Sequence, residues 1–176
     1  MKLLIVSTTG QIGGAERIIQ KLIEGLPTYK VDLGFFRKPK HNLIHWPHVR
    51  EIVGWKKILF GKYDLIHSHL FLGGLLVRLR RVWDKKTPWV HTVHYCDYKG
   101  QRWAQIKYCM DRFFIFPACD RLVAVSEVVE SQLKLSHFRV VRIQNSCPLK
   151  DFSTRTPFEL RAERPKVLTL GSVAML

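Results

Sequence analysis

The feature that most constrains this chain is the regular exchange of two textures along it. Short runs rich in β-branched and aromatic residues, KLLIVS, YKVDLGFF, VREIV, YDLIHSHL, PWVHTVH, DRLVAVS and FRVVRI, are separated by longer stretches with apolar residues at helical spacing. Strands separated by helices cannot pair through tight hairpins, so the pattern calls for βα units around a mostly parallel sheet. Several of the runs are almost continuously apolar, as strands covered on both faces must be. The spacing predicts helices over 15–25, 55–62, 71–85, 101–116 and 127–135, the last opened by Ser126 as its cap.

At 176 residues the chain has room for one good core and the beginning of a second. The texture changes after Ile143: CPLKDFSTRTPFELRAERP is rich in Pro, Ser, Thr and charge, and KVLTLGSV then repeats the buried-strand pattern. The expected organisation is a domain over 1–146, a linker over 147–165 and the first strand of a truncated second domain over 166–176. Four cysteines, Cys96, Cys109, Cys119 and Cys147, form no CxxC pair, and a core strand stands where a signal peptide would be, which reads as a reduced, cytoplasmic protein. No apolar run approaches the roughly 18 residues that span a bilayer.

The turn TTGQIGGAER joins the first strand pattern to the first helix pattern. Its glycines Gly10, Gly13 and Gly14 either make a tight turn or let main-chain N–H groups meet an anion. The stretch is neither GxGxxG nor GxxxxGK[ST]. Arg17 falls in the first helical turn, where the helix dipole disfavours a cation, and a shared anion would relieve that conflict. In open α/β sheets ligands bind beyond the carboxyl ends of the strands, which brings in the histidines. His67 and His69 are two apart and share a strand face, whereas His91 and His94 in HTVHY do not. HSH and HTVH lack a carboxylate or thiolate at metal-ligand spacing, so no metal is expected, and His94 is the candidate for hydrogen bonding or proton handling with a polar ligand. An NADP-type oxidoreductase remains an alternative, because Arg37, Lys38 and Lys40 close the second strand where a ribose-binding acid would otherwise sit.

Lys and Arg number 29 against 14 Asp and Glu, a net charge of +15, which implies a polyanionic neighbour. In FLGGLLVRLRRVWDKK the leucines recur at helical spacing while Arg78, Arg81 and Lys85 fall on another stripe with Arg80 close by. Lys56, Lys57 and Trp55 add to this set, as do Trp46, Phe60, Lys62, Arg102, Trp103, Lys107 and Arg112. Aromatics interleaved with cations suit a lipid interface. No RNP-type, KH-type or helix-turn-helix signature accompanies them, so an anionic membrane is the expected partner and nucleic acid is not. A peripheral membrane-binding module without catalysis is a second reading of the same features.

Taken in order, GGAER after the first strand, YDLIHSHL, the TVH of HTVHY, DRLVAVSE opening a helix, RIQNS and VLTLGS resemble the family 4 retaining glycosyltransferases of the GT-B fold. The resemblance covers essentially the whole chain and implies the N-terminal, Rossmann-like half of such an enzyme, an α/β domain with helices on both faces of its sheet and the second half essentially absent. It implies that this half holds the acceptor, a glycan or a lipid-linked molecule, and that the nucleotide-sugar donor is a substrate held by a second domain, in cis or as a partner chain. It further implies that Gly13 and Gly14 approach the donor diphosphate or the acceptor, that His94 reaches the transferred sugar, and that His69 and Asn145 lie near the cleft and hinge. The family is generally metal-independent, and many members work on the cytoplasmic face of the membrane as peripheral proteins in polysaccharide or lipopolysaccharide biosynthesis. The donor-binding Arg and Lys and the paired glutamates belong to the second domain, so this chain alone is expected to be inactive.

Overall fold

The opening run KLLIVS forms β1 (Lys2–Ser7), and the alternation continues as α1 (Gly14–Glu24), β2 (Lys30–Phe35), β3 (Val49–Val53), α2 (Trp55–Phe60), β4 (Leu65–His69) and α3 (Leu70–Arg80). It is completed by β5 (Trp89–Val93), α4 (Arg102–Met110), β6 (Arg121–Ala124), α5 (Glu127–Lys134) and β7 (Val140–Arg142). The computed structural model describes residues 1–10, 13–37, 48–94, 102–134 and 139–145, all within the unit Met1–Asn145. The expected linker over 147–165 and strand over 166–176 lie outside the described residues, as do Lys38, Lys40, Trp46, Cys96 and Cys147.

The seven strands form one sheet in the order β3-β2-β1-β4-β5-β6-β7, every neighbouring pair parallel. The chain starts in the middle, winds outward to β3, and returns to the other side of β1 with β4. That reversal opens a crevice between the turns that follow β1 and β4, the place where α/β sheets bind ligands.

Alternation along β1 assigns the two faces. Leu3 and Ile5 pack with Ile19 and Ile23 of α1 and with Val31 and Leu33 of β2. Leu4 and Val6 turn to the opposite face and join Ile58 of α2, Leu76 and Val77 of α3, and Val129 and Leu133 of α5. Each such fully buried aliphatic side chain stabilises the fold by about 1.5–3 kcal/mol. The fold is thus Rossmann-like α/β with helices on both faces, as the alternation of textures required.

Two helices depart from the periodic expectation. The third was expected to run to residue 85 and stops at Arg80, because the Asp84 carboxylate accepts from the Thr87 backbone N–H (3.1 Å) and hydroxyl (2.8 Å) and pulls the chain into a turn. The fourth was expected to run unbroken over 101–116, yet α4 ends at Met110 and Asp111–Ile115 continue as a wider, π-type turn before the short Phe116–Ala118 turn. Pro117 within that turn prevents the helix from continuing.

Candidate functional site

Three turns meet the crevice. The first follows β1, and α1 begins there with Gly13 as its cap in extended conformation (φ −154°). Glycine has no side chain to cap the helix, and Glu16 folds back instead: a Cβ on Gly13 would stand 2.6 Å from Glu16 Oε2. Glu16 is buried, accepts a long hydrogen bond from the Thr9 hydroxyl (3.5 Å), and has its pKa raised by that burial. An acid three residues after the cap suits the positive end of the helix dipole. Gly14 and Arg17 are exposed beside it. GGAE carries the spacing of a capping box, and that signal, overlooked beside the glycines, marks Glu16 from the sequence.

The second turn follows β4. His69 ends the strand in extended conformation (φ −125°), and Leu70 then takes φ 63°, in the left-handed region, to launch α3. A branched residue there costs about 1–2 kcal/mol, and such strain gathers where a site dictates the backbone path. Gly73 lets α3 rest against the end of β1, since a Cβ there would lie 2.9 Å from the Val6 carbonyl oxygen and 3.3 Å from Ser7 Cα. The third turn follows β5 and begins with His94.

The four histidines divide by strand face. On the face carrying Trp89, the indole N–H donates to Ser68 Oγ (2.7 Å), which is hydrogen-bonded to His91 Nδ1 (2.7 Å); His91 is buried against Phe116. It is a structural histidine. On the other face the rings of His67 and His69 lie 4.2 Å apart, and those of His69 and His94 5.5 Å apart. His67 Nε2 is paired with Thr92 Oγ1 at 2.8 Å, and His69 Nδ1 with His94 Nε2 at 3.2 Å. His69 is wholly buried, and its Nε2 has no hydrogen-bond partner; neither does the buried Ser7 Oγ at the end of the neighbouring β1. Burial lowers the pKa of His67 and His94 to about 4 and that of His91 to about 3, and it holds His69 well below its ordinary value. The stack is therefore neutral near pH 7 and offers hydrogen bonds rather than charge. Among the described residues no group of three or more His, Cys, Asp or Glu is placed to hold a metal ion.

The structure thus brings the Gly13–Arg17 turn, His69 and His94 to the carboxyl ends of three adjacent strands. Asn145 is not among them: it is exposed beyond β7 at the sheet edge, its N–H donating to the Val125 carbonyl (3.2 Å).

Four of the residues expected to face a membrane are engaged within the fold. Arg80 is a correction: only 4% exposed, it donates to the carbonyls of Ile58 (2.8 Å) and Gly61 (2.7 Å) and pairs with Asp84, so it ties α3 to the end of α2. Arg81 likewise bonds the carbonyls of Ala118 and Thr87 and pairs with Asp120. Arg78 donates to the Phe114 carbonyl (2.9 Å) and lies over its ring, and Lys57, itself exposed, pairs with Glu51 at the surface. Helical spacing alone cannot distinguish an arginine that points to solvent from one that curls over a helix end. Lys56, Lys85 and Trp55 are exposed, Trp55 with its indole N–H donating to the Phe36 carbonyl. Two exposed rings, Phe60 and Trp83, stack with centroids 5.1 Å apart.

Among curated proteins, none matches this sequence. Among solved structures, sucrose-phosphate synthase (tll1590) from Thermosynechococcus elongatus is similar, with a TM-score of 0.67 and 18% identity over 86% of this chain. The chain spans 49% of that protein's length, about half. The likeness is one of fold. The sequence itself carries the closer relation, for residues 24–146 match the model of Glycosyltransferase Family 4, and it is to this family that the chain belongs.

Proposed function

We propose that the chain is the acceptor-binding half of a retaining, hexosyltransferase-type glycosyltransferase, moving a sugar from a nucleotide-sugar donor to a glycan or lipid-linked acceptor. The observation that carries this reading is the meeting of the Gly13–Arg17 turn, His69 and His94 at the switch point of the sheet in a chain of this family. When the bond from sugar to diphosphate breaks, negative charge grows on the leaving group. The positive end of the α1 dipole, with Arg17 beside it, favours that charge, and His94 supplies a neutral hydrogen-bonding group. The donor's nucleotide and the paired glutamates of the family are expected on a second half, in the same polypeptide or a partner chain, and no resident cofactor is needed. In this reading residues 1–146 form the acceptor domain, 147–165 the linker and 166–176 the start of the donor domain.

Supplied with a family 4 donor half, the chain is expected to transfer sugar, and His94→Ala to lower kcat about a hundredfold or more. Activity unchanged by that substitution removes His94 from the site. Absence of NADPH binding by calorimetry disposes of the oxidoreductase alternative.

A specific surface supports association with the cytoplasmic face of an anionic membrane. Phe60, Leu79, Val82 and Trp83 are exposed together around the ends of α2 and α3, with Lys62, Lys85 and Lys86 beside them. Among the described residues no helix is long and apolar enough to cross a membrane. Cosedimentation with anionic liposomes is expected to weaken as salt rises and to be lost in the Phe60→Ser, Trp83→Ser double variant. Binding indifferent to salt, or none, counts against this surface.

A further inference from the structure

The imidazole stack has an inner and an outer member, and only the outer one is free to meet a ligand. His69 is 1% exposed and His94 lies at the edge of the crevice, partly buried. The contact between them uses Nδ1 of His69 and Nε2 of His94. His67, fixed by Thr92 Oγ1, packs its ring against that of His69, the centroids 4.2 Å apart. The backbone fixes His69 from below: it is the last residue of β4, and the left-handed turn at Leu70 follows at once.

We infer that His69 is a positioning residue, which holds the His94 imidazole by its Nε2 and leaves Nδ1 as the nitrogen presented to the ligand. This rests on the reading of His94 as a ligand-contacting group given above. A neutral imidazole has one N–H and one bare nitrogen, and the tautomer is set by the bond the second nitrogen makes. If His69 donates from Nδ1, His94 presents an N–H to an acceptor such as a phosphate or hydroxyl oxygen. If His94 donates from Nε2, its bare Nδ1 accepts from a sugar hydroxyl. In either case the pair fixes one tautomer and one ring orientation, where an unheld surface histidine would sample both. Fixing the ring before the ligand arrives removes a reorganisation cost from binding and reaction.

The test is nitrogen-15 NMR of the imidazole rings in the 176-residue chain, with no ligand, for the wild type, His69→Leu and His69→Asn. The asparagine amide places a nitrogen or oxygen where Nδ1 stands and can turn to donate or accept. In the wild type and His69→Asn, the His94 ring is expected to show a single tautomer and a titration well below that of a free histidine. In His69→Leu it is expected to average between tautomers, while the His91 signals, on the other sheet face, stay as they are and report an intact fold. A His94 ring unaffected by His69→Leu overturns the inference, as does one averaging in the wild type. With a donor half supplied, His69→Leu is expected to lower transfer about tenfold or more and His69→Asn to restore most of it. If His94→Ala leaves transfer unchanged, the role of His94 falls while the NMR result still decides whether His69 holds it.

Discussion

At the residue scale the site is a set of neutral imidazoles bought into a buried position, and that has a cost in acid. In the unfolded chain each would accept a proton near pH 6.5, whereas in the fold His67 and His94 resist until about pH 4 and His91 until about pH 3. The unfolded state therefore binds more protons as pH falls below 6.5, and stability is lost through that window, by up to about 1.4 kcal/mol per pH unit for each such group. Urea midpoints are expected to fall steeply between pH 6.5 and 4 and to be level from 7 to 8. A level profile down to pH 5 contradicts the burial of the stack. Arg80 makes a different point. Arg80→Ala leaves the Asp84 carboxylate without its cationic partner and two carbonyls without this donor, and is expected to destabilise by about 3–5 kcal/mol in thermal unfolding, against almost nothing for the exposed Lys85→Ala. The sequence put His67 and His69 on one face through strand parity, and singled out His94 by its place at the end of a strand. It could not show that Arg80 turns inward, because that depends on where the carbonyls of Ile58 and Gly61 end up, and these lie about twenty residues away.

At the element scale the site depends on how closely α3 approaches β1. Gly73 and Gly13 separate two kinds of glycine that look alike in the sequence. A Cβ on Gly73 meets the backbone of Val6 and Ser7, which cannot yield without moving the strand, so Gly73→Ala is expected to cost about 1–3 kcal/mol in chemical unfolding. A Cβ on Gly13 meets the far end of the Glu16 side chain, which can swing away, so Gly13→Ala is expected to cost less and to expose Glu16. Equal costs at the two positions would mean that α3 does not rest on β1 as described. The strands were legible because KLLIVS, DRLVAVS and their like are too apolar to face water on either side. The ends of α3 and α4 were not, because Asp84 and Pro117 act through local turn geometry that periodicity does not register.

At the scale of the whole molecule, seven parallel strands place the three turns side by side at the carboxyl ends of the central strands, while the exposed Phe60 and Trp83 lie near the opposite, amino ends. The order of the strands was not readable from their composition, and it is the crossing from β3 back to β4 that creates the crevice. The net charge of +15 belongs to this scale too, since several of its individual cations are consumed by carbonyls and carboxylates within the fold. The measurement that tests the account most directly is sugar transfer from a panel of nucleotide sugars by the chain joined to a family 4 donor half, compared with the same assembly carrying His94→Ala. Transfer that the substitution reduces about a hundredfold, with the thermal midpoint kept, is the predicted result. Transfer at the same rate by both assemblies would contradict it.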